Sequence, residues 1–221
     1  MKRLKCYILT IVALFSLAGY AQTDPLNGKR IAVIGDSYVK NHVDPMENTW
    51  HYKFARKHGM EYFNYGINGS SMAYTSPRWG TAMYIRYKEM PDNLDYVFVI
   101  GGHNDSSKLD SIGGLDVFKE RVGILCQGLI ERYPAAKIYF FTRWNCKDFQ
   151  GSNAEKIVDA MIEVCGNYSI PILDCARQGG IYAHSDAFRK IYFQYPEDNA
   201  HLNSKGHDRF LNVAESFILA H

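Results

Sequence analysis

The sequence predicts an α/β fold: three layers, α/β/α, around a mainly parallel sheet of about five strands. Three observations carry this. Short continuous apolar runs recur along the chain, as strands buried on both faces require. Amphipathic helical patterns separate them. The links are short, and no repeat, low-complexity tract or linker divides residues 22–221. A length of 221 residues with 47% apolar and 22% charged residues suits one globular domain.

The first 21 residues differ in kind. Met1 to Lys5 is a short basic start, Cys6 to Ala18 an apolar run, and Gly19-Tyr20-Ala21 supplies the small residues that a signal peptidase reads. This is the pattern of a cleaved secretory signal peptide, which predicts a mature chain from about Gln22 in the periplasm or outside the cell. The run is short for a bilayer span, which reads against a membrane anchor and against stable membrane insertion of the mature chain. Cleavage leaves 22 basic against 23 acidic residues and no block of Lys or Arg, so nucleic acid is not an expected partner. Four cysteines remain, Cys126, Cys146, Cys165 and Cys175. They allow three pairings among which sequence cannot choose, or they serve as small buried hydrophobes.

The strands follow in order. Arg30 to Ile34 is an apolar run closed by Gly35, Glu61 to Tyr65 a weaker one, and Tyr96 to Ile100 a strong one closed by Gly101-Gly102. Lys137 to Phe141 and Ile170 to Leu173 complete the set. Leu115, Phe118, Val122, Leu125 and Leu129 share one helical face. Ser152 with Glu155 reads as a capping box, opening a helix with Ile157, Met161 and Val164 on its inner side. A last helix starts near Ser204 and buries Phe210, Ala214, Phe217 and Ile218.

Sites in such sheets form at the carboxyl ends of the strands. There the sequence sets Gly35-Asp36-Ser37, then Asn64 to Ser70 with Gly69, then Gly102-His103-Asn104-Asp105, and, before the last helix, Asp198-Asn199-Ala200-His201. Each block alone also reads as a turn or a helix cap. Together they supply what acyl transfer needs. A serine hydroxyl attacks once an imidazole takes its proton, and a carboxylate fixes that imidazole's tautomer. Donors must then meet the developing oxyanion. Ser37, His201 and Asp198 fit the first three roles. The Ser37 and Gly69 N–H groups and the Asn104 amide fit the last.

These four blocks, in this order from Arg30 to His201, resemble those of the SGNH hydrolases, the GDSL-type esterase and lipase superfamily. The resemblance implies a flavodoxin-like sheet and assigns the family's serine, glycine, asparagine and histidine to Ser37, Gly69, Asn104 and His201, with Asp198 as the acid. Gly66 competes with Gly69, but only Gly69 is followed by a small polar residue, Ser70. Tyr38 departs from the leucine of the name motif. The α/β-hydrolase elbow, Gly-x-Ser-x-Gly, is broken at Val39. A phosphate loop and a dinucleotide fingerprint are both missing, so no cofactor is expected.

His103, Arg143, Trp144 and Asn145 stand near the same rim and are candidates for touching substrate, with a structural role or a loop hydrogen-bond network as the alternative. His207 is the other candidate base, without a carboxylate three residues before it. Asp105 reads as a loop-fixing acceptor. No acidic partners stand at metal-ligand spacing from His201 and His207, so no metal is expected. The predicted function is that of a secreted serine esterase working through an acyl-enzyme and deacetylating carbohydrate. Tyr74, Trp79, Trp144 and the Tyr182–Tyr195 stretch are candidates for stacking on sugar rings. A short-chain esterase, lipase or thioesterase is the alternative, and a glycan-binding protein on a hydrolase scaffold the non-enzymatic one.

Overall fold

The computed structural model describes residues 24–146 and 149–221, so the expected signal peptide lies outside the described residues. Its five strands are β1 Arg30–Gly35, β2 Glu61–Gly66, β3 Tyr96–Ile100, β4 Lys137–Phe141 and β5 Ile172–Leu173. All pair in parallel, in the order β2-β1-β3-β4-β5. The helices are α1 Ser37–Lys40, α2 Trp50–Lys57, α3 Met83–Arg86, α4 Leu109–Ile112, α5 Leu115–Arg132, α6 Asn153–Asn167, α7 Cys175–Gln178, α8 Asp186–Tyr192 and α9 Ser204–Ala220. The sheet order is the flavodoxin-like one.

Alternation along the central strands sorts side chains to two cores. Ala32, Ile34, Val97, Val99 and Phe140 pack with Phe118, Val122 and Leu125 of α5 and Ile157 and Met161 of α6. Ile31, Val33, Phe98 and Phe141 pack on the other side with Trp50 and Phe54 of α2 and Phe210, Ala214 and Ile218 of α9. Both faces are thus covered, as the uninterrupted apolar runs predict. Two elements differ in detail from expectation. β5 keeps only Ile172 and Leu173 of the expected four residues, because Pro171 has no N–H to give the ladder. The capping box is displaced by one residue: Ser152 Oγ accepts from the Ala154 N–H, and Glu155 reaches past Ser152 to the Gly151 N–H. All four described cysteines are buried thiols.

The order β2-β1-β3 means that the chain leaves β1 to one side and returns on the other. The crevice at the carboxyl ends of β1 and β3 is therefore the topological switch point where such sheets bind ligands. Ser37 follows β1 directly, and Asn104 lies in the loop after β3.

Behind this crevice sit two buried histidines. His51 bonds Tyr62 Oη at 2.8 Å and is pushed by burial down to about 3. His207 meets Asn41 Oδ1 at 3.1 Å, and burial puts it well below the ordinary histidine value. In the unfolded chain both bind protons below about 6.5. In the fold they do not, so stability is lost as pH falls below about 6.5, for His51 down to about 3. Each contributes a slope of about 1.4 kcal/mol per pH unit there. Asp36 and Asp105, pushed by burial up to about 7 and about 6, act with the opposite sign. Melting temperature recorded against pH should fall more steeply for the wild type than for His51→Gln between pH 6.5 and 4. Equal slopes would locate the proton uptake elsewhere.

Candidate active site

The turn out of β1 sets Ser37 as the first residue of α1. Asp36 caps this short helix, its Oδ1 accepting the Tyr38 N–H at 2.9 Å. The Ser37 N–H belongs to the first turn, where backbone donors have no partner within the helix. A side chain on Gly35 would lie 2.3 Å from Val39 Cγ2 and 2.6 Å from the Ile100 carbonyl, so the turn can be this tight only with glycine.

The segment before α9 supplies the partners. Asp198 Oδ1 accepts the Ala200 and His201 N–H groups at 2.8 and 3.0 Å, closing a turn that brings Asp198 Oδ2 to 2.9 Å from His201 Nδ1. His201 Nε2 then lies 2.9 Å from Ser37 Oγ. Burial works to raise the Asp198 pKa, but the bonds from His201 and the Ala200 N–H outweigh it and hold the carboxyl below its ordinary value. An ionised Asp198 requires the proton on Nδ1, which leaves Nε2 free to accept from the serine hydroxyl.

Gly69 lies beside Ser37 in the same cleft, which His42, Asn68, Trp79, His103, Asn104 and His201 also line and whose volume is about 260 Å³. Its φ of +76° is one that L side chains rarely adopt, and a Cβ there would meet the Trp79 ring at 2.6 Å. Gly66 instead ends β2, its N–H bonded to Asn64 Oδ1 at 2.8 Å, and so offers no free donor. Asn104 Nδ2 donates to the Ser70 carbonyl at 2.9 Å and to Asp36 Oδ2 at 3.3 Å. Asp36 is fully buried, and desolvation, with the charge of Asp105, raises it to about 7. Asp105 is the loop-fixing acceptor expected: its two oxygens take the Met72 and Ala73 N–H groups at 3.0 and 2.9 Å.

The remaining candidates divide. His103 lines the cleft, its Nδ1 is 3.1 Å from Tyr38 Oη, and burial holds it neutral, down to about 3. Arg143 lines a pocket adjoining the cleft. Trp144 corrects the expectation: although the fourth strand ends at the rim, its side chain turns inward, 1% exposed, and stacks on Tyr38 at 5.1 Å and against Phe210 at 4.6 Å. It is core and cannot stack on a sugar. Asn145 accepts from His184 Nε2 at 2.7 Å, the loop network offered as its alternative. His207 is buried behind the site, away from Ser37. Among the described residues no three His, Cys, Asp or Glu side chains converge as a metal ion would need.

Sequence reasoning missed His42. Its ring stacks on that of His201, centroids 4.2 Å apart and 13° from parallel. Burial and the neighbouring His201 lower its pKa. It stands at φ +51°, in a turn after α1 that no spacing in the sequence marks.

A solved protein from Lactobacillus plantarum superposes with a TM-score of 0.74 at 25% identity, over 88% of this chain and 98% of that one. One described as a GDSL-like lipase, from Bacteroides uniformis, gives 0.61 at 24% identity, over 86% and 95%. A carbohydrate esterase family 2 enzyme from Corynascus thermopiles gives 0.63 at 16% identity, over 89% and 67%, a likeness of fold. No curated protein matches the chain. The model of the GDSL-like lipase/acylhydrolase family matches residues 33–209, which takes in all four blocks around Ser37, and the chain belongs to that family.

Proposed function

We propose that the protein is an exported serine esterase that removes acetyl groups from carbohydrate. The observation that carries the serine mechanism is the unbroken line from Asp198 Oδ2 through His201 to Ser37 Oγ, with both contacts at 2.9 Å. In this reading Ser37 Oγ attacks the ester carbonyl as His201 Nε2 takes its proton. The carbonyl oxygen turns toward the Ser37 and Gly69 N–H groups and toward the Asn104 amide, whose longer bond, the 3.3 Å contact with Asp36 Oδ2, is exchanged for the oxyanion. His201 returns the proton to the departing alcohol, and water, activated by the same imidazole, frees the acyl group from Ser37. Asp198 fixes the tautomer throughout.

The choice of acetyl rests on the cleft. Its volume of about 260 Å³ is closed on one side by Trp79, which backs onto Gly69, and it holds polar walls at Asn68, His42 and His103. These walls, mostly of polar residues, give a long alkyl chain little apolar surface to bury, which favours a short acyl group. Trp79, with Arg78 over its ring at 4.4 Å, is the aromatic of the expected set that reaches the cleft. Export rests on the basic and apolar pattern of residues 1–21.

A series of p-nitrophenyl esters of rising chain length, beside acetylated oligosaccharides, tests the reading. kcat/KM should be greatest for acetyl and fall by roughly tenfold or more by octanoyl, since added methylenes are set against polar walls. Acetate should be released from the oligosaccharides. Rates rising with chain length would make the protein a lipase. Glycan binding without turnover would make it a binding protein.

A further inference from the structure

A second pocket, of about 340 Å³, shares His103 and Asn104 with the nucleophile's cleft and so adjoins it. Ser106, Arg143, Ser152, Asn153 and Asn199 form its other walls. Arg143 is the anomaly. It is 5% exposed, donates through Nη1 to Ser106 Oγ at 3.1 Å, and has a buried Nε without an acceptor. Among the described residues it makes no ion pair.

Two other buried arginines show how this fold normally treats such a cation. Arg86 leaves its Nε unpaired too, but its Nη groups reach the Tyr65 and Gly35 carbonyls and Ser70 Oγ, and Asp36 stands nearby. Arg189 bonds the Pro196 and Ala183 carbonyls and pairs with Asp186. A guanidinium is a permanent cation with five donors, and leaving it buried without an anion is costly. Among the described residues Arg143 meets only neutral groups, the Ser106 hydroxyl and the Cys146 thiol.

An independent feature points into the same space. α6, 15 residues long, begins at this pocket, where its cap Ser152 and its first residues Asn153 and Ala154 form the wall. A helix N-terminus carries partial positive charge that favours an anion, and here, with the Ala154 N–H taken by Ser152 Oγ and Glu155 turned back to the Gly151 N–H, the Asn153 N–H is left to meet one. His103, held neutral by burial and by the nearby Arg143, adds no second charge. One full cation suits a monoanion such as a carboxylate better than a phosphate or sulfate ester.

We infer that the second pocket is an anion subsite and that the ester cleaved at Ser37 carries a carboxylate on its alcohol, held by Arg143 and the start of α6. The assignment rests on the serine-esterase reading above. The alcohol side follows from proton return: the leaving oxygen must depart toward His201 Nε2, and Asn199, two residues before His201, is part of this pocket's wall. An acetylated uronic acid has this chemistry.

The test compares monoacetylated glucuronic acid with monoacetylated glucose, each as the full set of positional isomers. In the wild type kcat/KM should favour the acid by roughly 10–100-fold, mostly through KM, as a charge-assisted contact made in both ground and transition states would. Arg143→Met should bring that ratio close to one, and Arg143→Lys should keep part of it. Asn153→Asp puts a competing carboxylate at a helix start that tolerates it, so it should collapse the ratio even if Arg143→Met folds poorly. Equal rates for the two esters in the wild type, or a preference that survives Arg143→Met and Asn153→Asp, would overturn the subsite. Hydrolysis of neither ester would instead count against the esterase reading. Titration calorimetry with glucuronate then decides the subsite alone: binding weakened about tenfold or more in Asn153→Asp supports it, and binding indifferent to that change removes it.

Discussion

Ser37→Ala should lower kcat for acetyl esters by roughly 10⁴–10⁶, the scale on which a nucleophile of this kind contributes. In the proposed mechanism the hydroxyl forms the covalent bond to the acyl group, and among the described residues no other hydroxyl bonds His201 Nε2. Stability should change little. Among the described residues Ser37 Oγ bonds His201 Nε2 alone, whereas the turn itself is held by the Asp36 carboxylate on the Tyr38 N–H and by the Asn41 N–H on the Ser37 carbonyl. Initial rates on p-nitrophenyl acetate check the prediction, with a fluorophosphonate probe expected to label the wild type and not the variant. A folded Ser37→Ala protein with wild-type turnover would end the serine reading.

The sheet was legible where its strands are buried on both faces. Arg30–Ile34, Tyr96–Ile100 and Lys137–Phe141 read as apolar runs because past their first residues β1, β3 and β4 are buried on both faces, and their limits agree with the structure to within one residue. β5 was overread because periodicity is blind to a missing N–H at Pro171. The four blocks were legible because each follows a strand end or precedes a helix, and the topology then does the assembly: Ser37 and His201, 164 residues apart, meet at 2.9 Å. Direction of side chains was not legible. Trp144 follows a strand as Arg143 does, yet alternation sends the tryptophan to the core under Tyr38 and the arginine toward the pocket. His42 was invisible for a related reason. Its place over His201 depends on left-handed backbone at Asn41 and His42, which sequence marks only weakly outside glycine.

His201→Ala should be nearly as damaging as loss of Ser37, with a fall in kcat of roughly 10⁴–10⁶, because without an acceptor at 2.9 Å the hydroxyl keeps its proton. Asp198→Ala should cost roughly ten to a hundred times less than that, since it removes the group that orients the imidazole and leaves the base itself. The local geometry sharpens the contrast. Asp198 also accepts the Ala200 and His201 N–H groups, so its loss loosens the turn as well as freeing the ring. Asp198→Asn, which can keep an acceptor for that turn but lets the tautomer change, separates the two effects: activity as low as that of Asp198→Ala assigns the loss to the tautomer. The double variant Ser37→Ala/His201→Ala should be no worse than either single one, because the two groups act on one proton transfer and their contributions do not add. His207 is no substitute base, being buried on Asn41 Oδ1 and held well below the ordinary histidine value. Single-turnover rates for the set, measured at one pH on proteins shown to be folded, give the ranking. Activity that survived His201→Ala and vanished in His207→Ala would transfer the role of base and, with it, the whole reading of the cleft.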